Sequence, residues 1–176
     1  MKNAHSLLTV TLAIATSLTF SIQATAGDLN NFSAISQAEF VALSKDLAAA
    51  TSTKAIEPAA PLGLVGFDVN ASTAITKTQA GSVWQTVSGN NPDNLVQTKL
   101  SVSKGLSSGL DIGGFVSKVS STNVSAAGIH AKYALLEGNA IVPAIALRAS
   151  HSRMGGVSQM ELNNTGFDVL ISKGFF

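Results

Sequence analysis

The residue types that could perform covalent chemistry lie together near the C-terminal end of the chain. His151 and Ser152 are adjacent, and Glu161 follows them. A histidine activates a serine hydroxyl for acyl transfer when the two groups are within hydrogen-bonding reach and a third group orients the histidine. In a β-strand, adjacent side chains point to opposite faces, so His151 could reach Ser152 only if the strand has already ended there. We therefore expect no catalytic residues and no enzyme activity, and an acyl hydrolase remains the less favoured alternative.

A second set of side chains suggests an electrostatic site. Ionisable residues recur at positions that alternate with apolar ones, on the opposite face of each candidate strand. They are Asp68, Lys99, Asp111, His130, Lys132, Arg148 and Asp168. Basic and acidic groups that face each other could screen ions in a narrow pore, or they could form ion pairs that fill the interior of a small barrel. The sequence leaves both interpretations open.

Other site classes find little support. Beyond His5 the chain has only His130 and His151, with no carboxylate at ligand spacing beside either and no cysteine, so we predict no metal and no cofactor. The 11 basic and 10 acidic residues become equal in number once Lys2 is removed, which argues against a nucleic-acid partner. Binding or transport without covalent chemistry is the remaining class.

The segments that carry these residues have the two-residue period of β-strands. Apolar and polar side chains alternate through six segments, which is typical of an all-β antiparallel meander. The segments are 65–76, 95–104, 110–119, 127–135, 141–150 and 164–175. Each is about as long as a tilted membrane-spanning strand, which needs about 9 to 11 residues. Only 12% of the residues are charged while 45% are hydrophobic, and no apolar run beyond residue 20 is long enough for a spanning helix.

The N-terminal part reads differently from the strand region. Lys2, the apolar stretch from Leu7 to Phe20 and the small residues up to Ala26 predict a signal peptide over residues 1–26, cleaved after Ala26. Residues 27–61 should hold one short helix, with Ser36 as N-cap and Glu39 completing a capping box, followed by a proline-containing linker. The β-domain is expected over residues 62–176.

The distribution of charge favours a membrane barrel over a soluble sheet. No charged residue is expected mid-strand on the apolar face. Four lysines occur at alternate positions in step with the apolar residues, but they fall near strand ends, where they could reach lipid headgroups. These predicted membrane-rim residues are Lys77, Lys104, Lys118 and Lys173. Trp84 and Tyr133 are candidate interface anchors.

Taken together, the signal peptide, the strand array and the phenylalanine-terminated last segment resemble the small porin-like outer-membrane β-barrels of Gram-negative bacteria. The resemblance implies an outer-membrane location with lipid as a partner, a structural or passive pore role, and recognition of the last strand by the barrel-assembly machinery. The residues that carry this C-terminal signal would be Phe167, Val169, Ile171, Phe175 and Phe176.

The strand count departs from this family, because bacterial single-chain barrels begin at about eight strands. An incompletely closed sheet is the favoured explanation. The alternatives are a missing hairpin, an extra strand at Gly81 to Ser88, or pairing of copies through their open edges, as a homo-oligomer. The main rival to a barrel is a soluble periplasmic or secreted β-sandwich with a binding function.

Overall fold

The structure is a computed structural model that describes residues 27–174. The predicted signal peptide and the last two phenylalanines, Phe175 and Phe176, lie outside the described residues. Two helices precede or interrupt six strands along the chain. They are α1 (Gln37–Thr51), β1 (Phe67–Lys77), α2 (Gly81–Ser88), β2 (Asn94–Gly105), β3 (Leu110–Val119), β4 (Ser125–Leu136), β5 (Ala144–Gly155) and β6 (Asn163–Ser172).

The strands form one antiparallel sheet in which each strand pairs with the next along the chain, in the order β1 to β6. The sheet curls into a half-barrel. This confirms the predicted six-stranded antiparallel meander. In the described residues β1 and β6 pair on one side only, so the sheet has two free edges.

The two faces of the sheet have opposite chemistry. On the convex face apolar side chains are exposed, as at Val102 in β2 and Ile129 in β4, whose exposed fractions are 51% and 67%. On the concave face polar side chains are buried, as at Ser103 and His130, which are 3% and 5% exposed. A soluble sheet normally buries its apolar face, so this polarity is inverted.

The helix α1 forms where the sequence predicts it. The Ser36 hydroxyl accepts a hydrogen bond from the backbone N–H of Glu39, and the Glu39 carboxylate accepts one from the N–H of Ser36, which completes the capping box. The hydrogen bond from the Ser36 N–H to the Glu39 carboxylate, and a second one donated by the Ser36 hydroxyl, hold the pKa of Glu39 below its ordinary value. The helix buries Leu43 and Leu47 against α2 and the adjacent strand ends, in the main apolar core of the molecule.

This core lies at the end of the sheet that carries the connections after β1, β3 and β5. We call it the long-loop end, because the connection after β1, residues 78–93, is long enough to contain α2. The segments after β1 and β5 contribute to it, with Trp84 from α2 and Met160 from the loop before β6. The connections after β2 and β4, which cover residues 106–109 and 137–143, lie at the opposite end, which we call the short-turn end. α1 packs on this core through Leu43 and Leu47 and therefore lies at the long-loop end.

Some sequence predictions were wrong. Gly81–Ser88 is a helix and not an extra strand, because Val83, Trp84 and Val87 meet the core on one helical face. Trp84 is fully buried and is therefore not an interface anchor.

The limits of two strands also differ from the prediction. Val65 precedes β1, and Ile141 lies in the turn before Pro143, since proline cannot donate to the ladder. β5 continues instead to Gly155, which brings His151 and Arg153 within the strand on the convex face. Arg153 is a charged residue on the apolar face, but it lies near the end of β5 and not in the middle of the strand.

Candidate functional site

The concave face is covered by the chain that connects α1 to β1. This linker segment, residues 52–62, crosses the face from the long-loop end to the short-turn end. It is fixed mainly through its backbone: Lys99 donates to the carbonyl of Lys54 at 3.1 Å, and Lys132 donates to the carbonyls of Pro58 and Ala60 at 2.8 and 3.1 Å. Charged side chains of the sheet therefore bind the linker segment in place of water.

The C-terminal part of the linker segment is held by two further strands. The N–H of Ala59 donates to the hydroxyl of Ser172 at 2.9 Å, at the end of β6. The N–H of Leu62 donates to both carboxylate oxygens of Asp111 at 3.2 Å, at the start of β3. The linker segment thus bridges strands that are distant from each other in the sheet.

Beneath the linker segment, four charged residues form a row across four neighbouring strands. Asp111, Lys132, Arg148 and Asp168 are directly opposite one another in the strand registers. Lys132 Nζ lies 3.0 Å from Asp111 Oδ2, and Arg148 Nε lies 3.3 Å from Asp168 Oδ2. Cross-strand neighbours of opposite charge stabilise a sheet. We call these four residues the ion-pair row.

The linker segment adds a carboxylate to this row. Glu57 Oε1 lies 3.3 Å from His130 Nε2 and 4.0 Å from Arg148 Nη1, and its side chain is 9% exposed. His130 Nε2 also lies 3.0 Å from the hydroxyl of Ser103. Glu57 is thus the acidic contact between the linker segment and the basic part of the concave face.

An aromatic side chain fills the concave face beside the charges. Phe115 is buried there, and the ammonium of Lys99 lies 5.6 Å from its ring centroid. Gly128 makes room for the ring, since a Cβ at that position would be 2.5 Å from Phe115 Cε1. This glycine is explained by close packing between neighbouring strands.

Burial at the site leaves some polar atoms without hydrogen-bond partners among the described residues. His130 Nδ1, Arg148 Nη1 and Asp168 Oδ2 are buried in this state. In the linker segment, Lys54 donates to the carbonyl of Ala49 at 2.6 Å, and burial lowers the pKa of its ammonium. The arrangement is a charged and largely dehydrated interior, held together by the chain's own linker.

The predicted lumen-facing residues lie on this face in the structure. Lys99, Asp111, His130, Lys132 and Arg148 are buried. Asp68 and Asp168 lie on the same side but are only half-buried, because they belong to the edge strands β1 and β6. The sequence interpretation missed Glu57, whose only signal was a lone carboxylate in the linker beside a proline.

The residues predicted at the membrane rim are exposed. Lys77, Lys104 and Lys118 lie at strand ends, and Lys173 follows β6. The Lys104 ammonium donates to the carbonyls of Leu64, Gly66 and Gly105 near the short-turn end. Within the predicted C-terminal signal, the convex face exposes three residues, Phe167, Val169 and Ile171, while Phe175 and Phe176 lie outside the described residues.

The candidate acyl-transfer residues do not come together. His151 is exposed on the convex face and hydrogen-bonds Thr165 through Nδ1 at 2.9 Å, whereas Ser152 is 2% exposed on the concave face. Glu161 pairs with Arg153 at 3.1 Å. This is the separation that adjacent positions in a strand require.

Within residues 27–174 no three His, Asp or Glu side chains are grouped as metal ligands would be. In the same range neither helix has the length and apolarity to cross a membrane. Comparison with family models, with curated proteins and with solved structures finds no match to this chain.

Proposed function

We propose that this chain is an outer-membrane β-barrel protein with a structural or passive pore-type role and no covalent catalysis. Its strands would cross the membrane, its convex face would contact lipid, and its concave face would form the interior. The observation that carries the proposal is the inverted polarity of the sheet.

The convex face supports this proposal because large apolar side chains cover it without interruption by another element. Exposed fractions reach 70% at Phe67, 67% at Val169 and 83% at Phe167. Soluble monomers rarely expose contiguous apolar patches beyond a few hundred Å². The outer surface of a transmembrane barrel has this composition, with apolar residues outward and polar residues inward at alternate positions.

The buried charges argue against the soluble β-sandwich. In a sandwich two sheets pack through their apolar faces. Here the covered face carries Lys132, Arg148 and the rest of the ion-pair row, and the apolar face has no covering sheet in residues 27–174.

The role we propose is passive because the interior contains fixed charges and a covering segment. With the linker segment bound through Lys99, Lys132 and Glu57, the polar face is closed to solutes, and passage would require its displacement. Recognition by the barrel-assembly machinery through β6 belongs to the same proposal, since Phe167, Val169 and Ile171 are exposed and in phase.

The test measures where the protein is located and whether its convex face is covered by lipid. The chain has no cysteine, so a single substitution introduces a unique label. Ile129→Cys places a thiol on the convex face of β4, and Ser158→Cys places one in the exposed loop before β6. In purified outer membranes we expect the Ile129→Cys thiol to resist a charged maleimide until unfolding, and the Ser158→Cys thiol to react at once.

Two supporting results are expected. An environment-sensitive dye on Ile129→Cys should be quenched by brominated lipid, and the same dye on Ser158→Cys should not. The protein should also fractionate with the outer membrane and migrate differently on a gel before and after boiling. Recovery in the osmotic-shock fluid, with equal reactivity of both thiols, would overturn the proposal in favour of a soluble binding protein.

A further inference from the structure

We propose that two copies of this chain join edge to edge, with β1 of each copy pairing with β6 of the other, to close one twelve-stranded barrel. The inference rests in part on the proposed function, because lipid makes a free edge unfavourable. It identifies the partner as a second copy and the interface as the two free strand edges.

The strand registers identify which backbone groups are free at the edge formed by β1. The N–H of Gly105 donates to the carbonyl of Gly66, and that of Thr78 to the carbonyl of Asp93. Antiparallel bonds recur at every second residue. The even-numbered residues of β1 therefore bond to β2, and the odd-numbered ones, from Phe67 to Lys77, point their N–H and C=O groups away from the sheet.

The edge formed by β6 has the same character. The N–H of Met154 donates to the carbonyl of Leu162, so even-numbered residues of β6 bond to β5. The odd-numbered residues, from Asn163 to Ile171, face outward. Hydrocarbon offers no partner for such groups, and spanning sheets are closed for that reason. In a membrane both edges therefore need a strand beside them.

The two edges are in phase with each other. At both, the free backbone groups belong to residues whose side chains lie on the convex face, such as Val69 and Val169. The residues that hydrogen-bond across β1–β2 have their side chains on the concave face, and those across β2–β3 have theirs on the convex face. This alternation continues around the sheet and ends on the concave face at β5–β6. A β6–β1 seam with convex bonded residues continues this alternation and keeps every apolar side chain outside.

The number and length of the strands fit a two-fold assembly. With six strands per chain, β1 and β6 run in opposite directions, so rotation about the barrel axis places β6 of one copy antiparallel to β1 of the other. Both seams are then identical, as a two-fold axis requires. The paired strands have 11 and 10 residues, so each seam can be bonded over its full length.

The edge side chains are incompletely covered. Concave residues of the inner strands are mostly buried, whereas those of β1 and β6 are half-buried throughout. In the part of the chain that the structure describes, Asn70 Oδ1 on β1 is inaccessible to solvent and accepts no hydrogen bond, and Asp168 Oδ2 on β6 has only its ion pair with Arg148. A neighbouring strand at each edge would cover the half-buried side chains and could donate hydrogen bonds to these two oxygens.

Cross-linking between differently tagged full-length chains tests the proposal. One chain carries Ala71→Cys in the middle of β1, and the other carries Phe167→Cys, Val169→Cys or Ile171→Cys on β6. Treatment of membranes with a short bis-maleimide should give a covalent heterodimer, strongest for one of the three β6 positions because the register is fixed. Ala127→Cys on β4 replaces Ala71→Cys as the matched control, and this inner-strand thiol should give at least tenfold less product.

A second variant tests the edge itself. Ala71→Pro removes one outward N–H from the β1 edge, where proline is tolerated. It should convert the detergent-extracted dimer to monomer, whereas Ala71→Val should not.

Four results would each overturn the proposal: a monomeric wild type, equal product with the control, a product with another protein, or a link between β1 and β6 within one chain. A cross-linked dimer in the soluble fraction would support the edge pairing and overturn the membrane location, and membrane residence with no cross-link would do the reverse.

Discussion

Glu57 is the residue that best reports how the interior is stabilised. Its carboxylate is the linker segment's charged contact with His130 and Arg148, in a region where charges are removed from water. Removing one partner of a buried ion pair is costly because the remaining charge stays buried without compensation. The basic groups of the concave face therefore hold the linker segment in place, and the linker segment in turn makes their burial possible.

We expect Glu57→Gln to lower the free energy of unfolding by about 2 kcal/mol. The buried Arg148 would lose one of its two carboxylate neighbours and keep only Asp168, and His130 would lose the carboxylate beside its Nε2. Urea titration in phospholipid vesicles, followed by the fluorescence of Trp84, measures this change. The matched control is Glu161→Gln, whose pair with Arg153 is exposed on both sides and should contribute less than about 0.5 kcal/mol. Equal effects of the two substitutions would show that Glu57 has no special role.

At the scale of elements, one carboxylate joins the two helices. Asp46 of α1 accepts hydrogen bonds from the backbone N–H groups of Gln79 and Ala80, just before α2, and from the indole N–H of Trp84 at 3.0 Å. Asp46 therefore fixes both the chain that leads into α2 and the aromatic side chain through which α2 packs. The position of α2 therefore depends on α1.

Asp46→Ala should leave these buried donors without an acceptor and destabilise the protein by about 3 kcal/mol, because each buried unsatisfied donor costs about 1 to 3 kcal/mol. The same variant should shift Trp84 emission to longer wavelength, as α2 separates from α1. Asp93→Asn, an exposed substitution in the loop after α2, is the control and should leave emission unchanged. An unshifted emission in Asp46→Ala would contradict the link between the helices.

The elements also show what sequence patterns could predict. Alternation over 95–104 and 110–119 gave the strands and their faces, because a period of two is a local property of the chain. The capping box at Ser36 and Glu39 gave the start of α1 for the same reason. The alternation of Val83, Gln85 and Val87 was misleading, since the burial of α2 is determined by distant partners such as Asp46.

The candidate site divides in the same way. Residues such as Lys132 and Arg148 could be assigned to the polar face from strand phase alone. The linker segment could not, because its contacts are mainly through backbone carbonyls, which every residue has. Glu57 meets His130 only once the sheet has curled around the linker segment, and no local spacing encodes that contact.

At the scale of the whole molecule, the stability of the fold depends on whether water or lipid surrounds the convex face. In water the face would be a large exposed apolar surface. In lipid it is the surface that stabilises the protein, and the charged side chains are then kept in the polar interior, away from the hydrocarbon. A charge placed on this face should therefore have a cost that depends on its depth.

Arginine substitutions along the convex side of β4 test this dependence. The positions are Ala127, Ile129, Ala131, Tyr133 and Leu135, all exposed. In phospholipid vesicles we expect a loss of about 2 to 4 kcal/mol for positions near the middle of the strand and about 0 to 1 kcal/mol toward its ends, because the penalty for arginine peaks at the bilayer midplane. Urea titration followed by Trp84 fluorescence gives the free energy of unfolding for each position.

In a protein whose convex face meets water, arginine at exposed positions would change the free energy of unfolding little, and equally at all positions. A flat profile would therefore mean that the convex face is not in contact with lipid, whereas a peak would also locate the membrane midplane along β4.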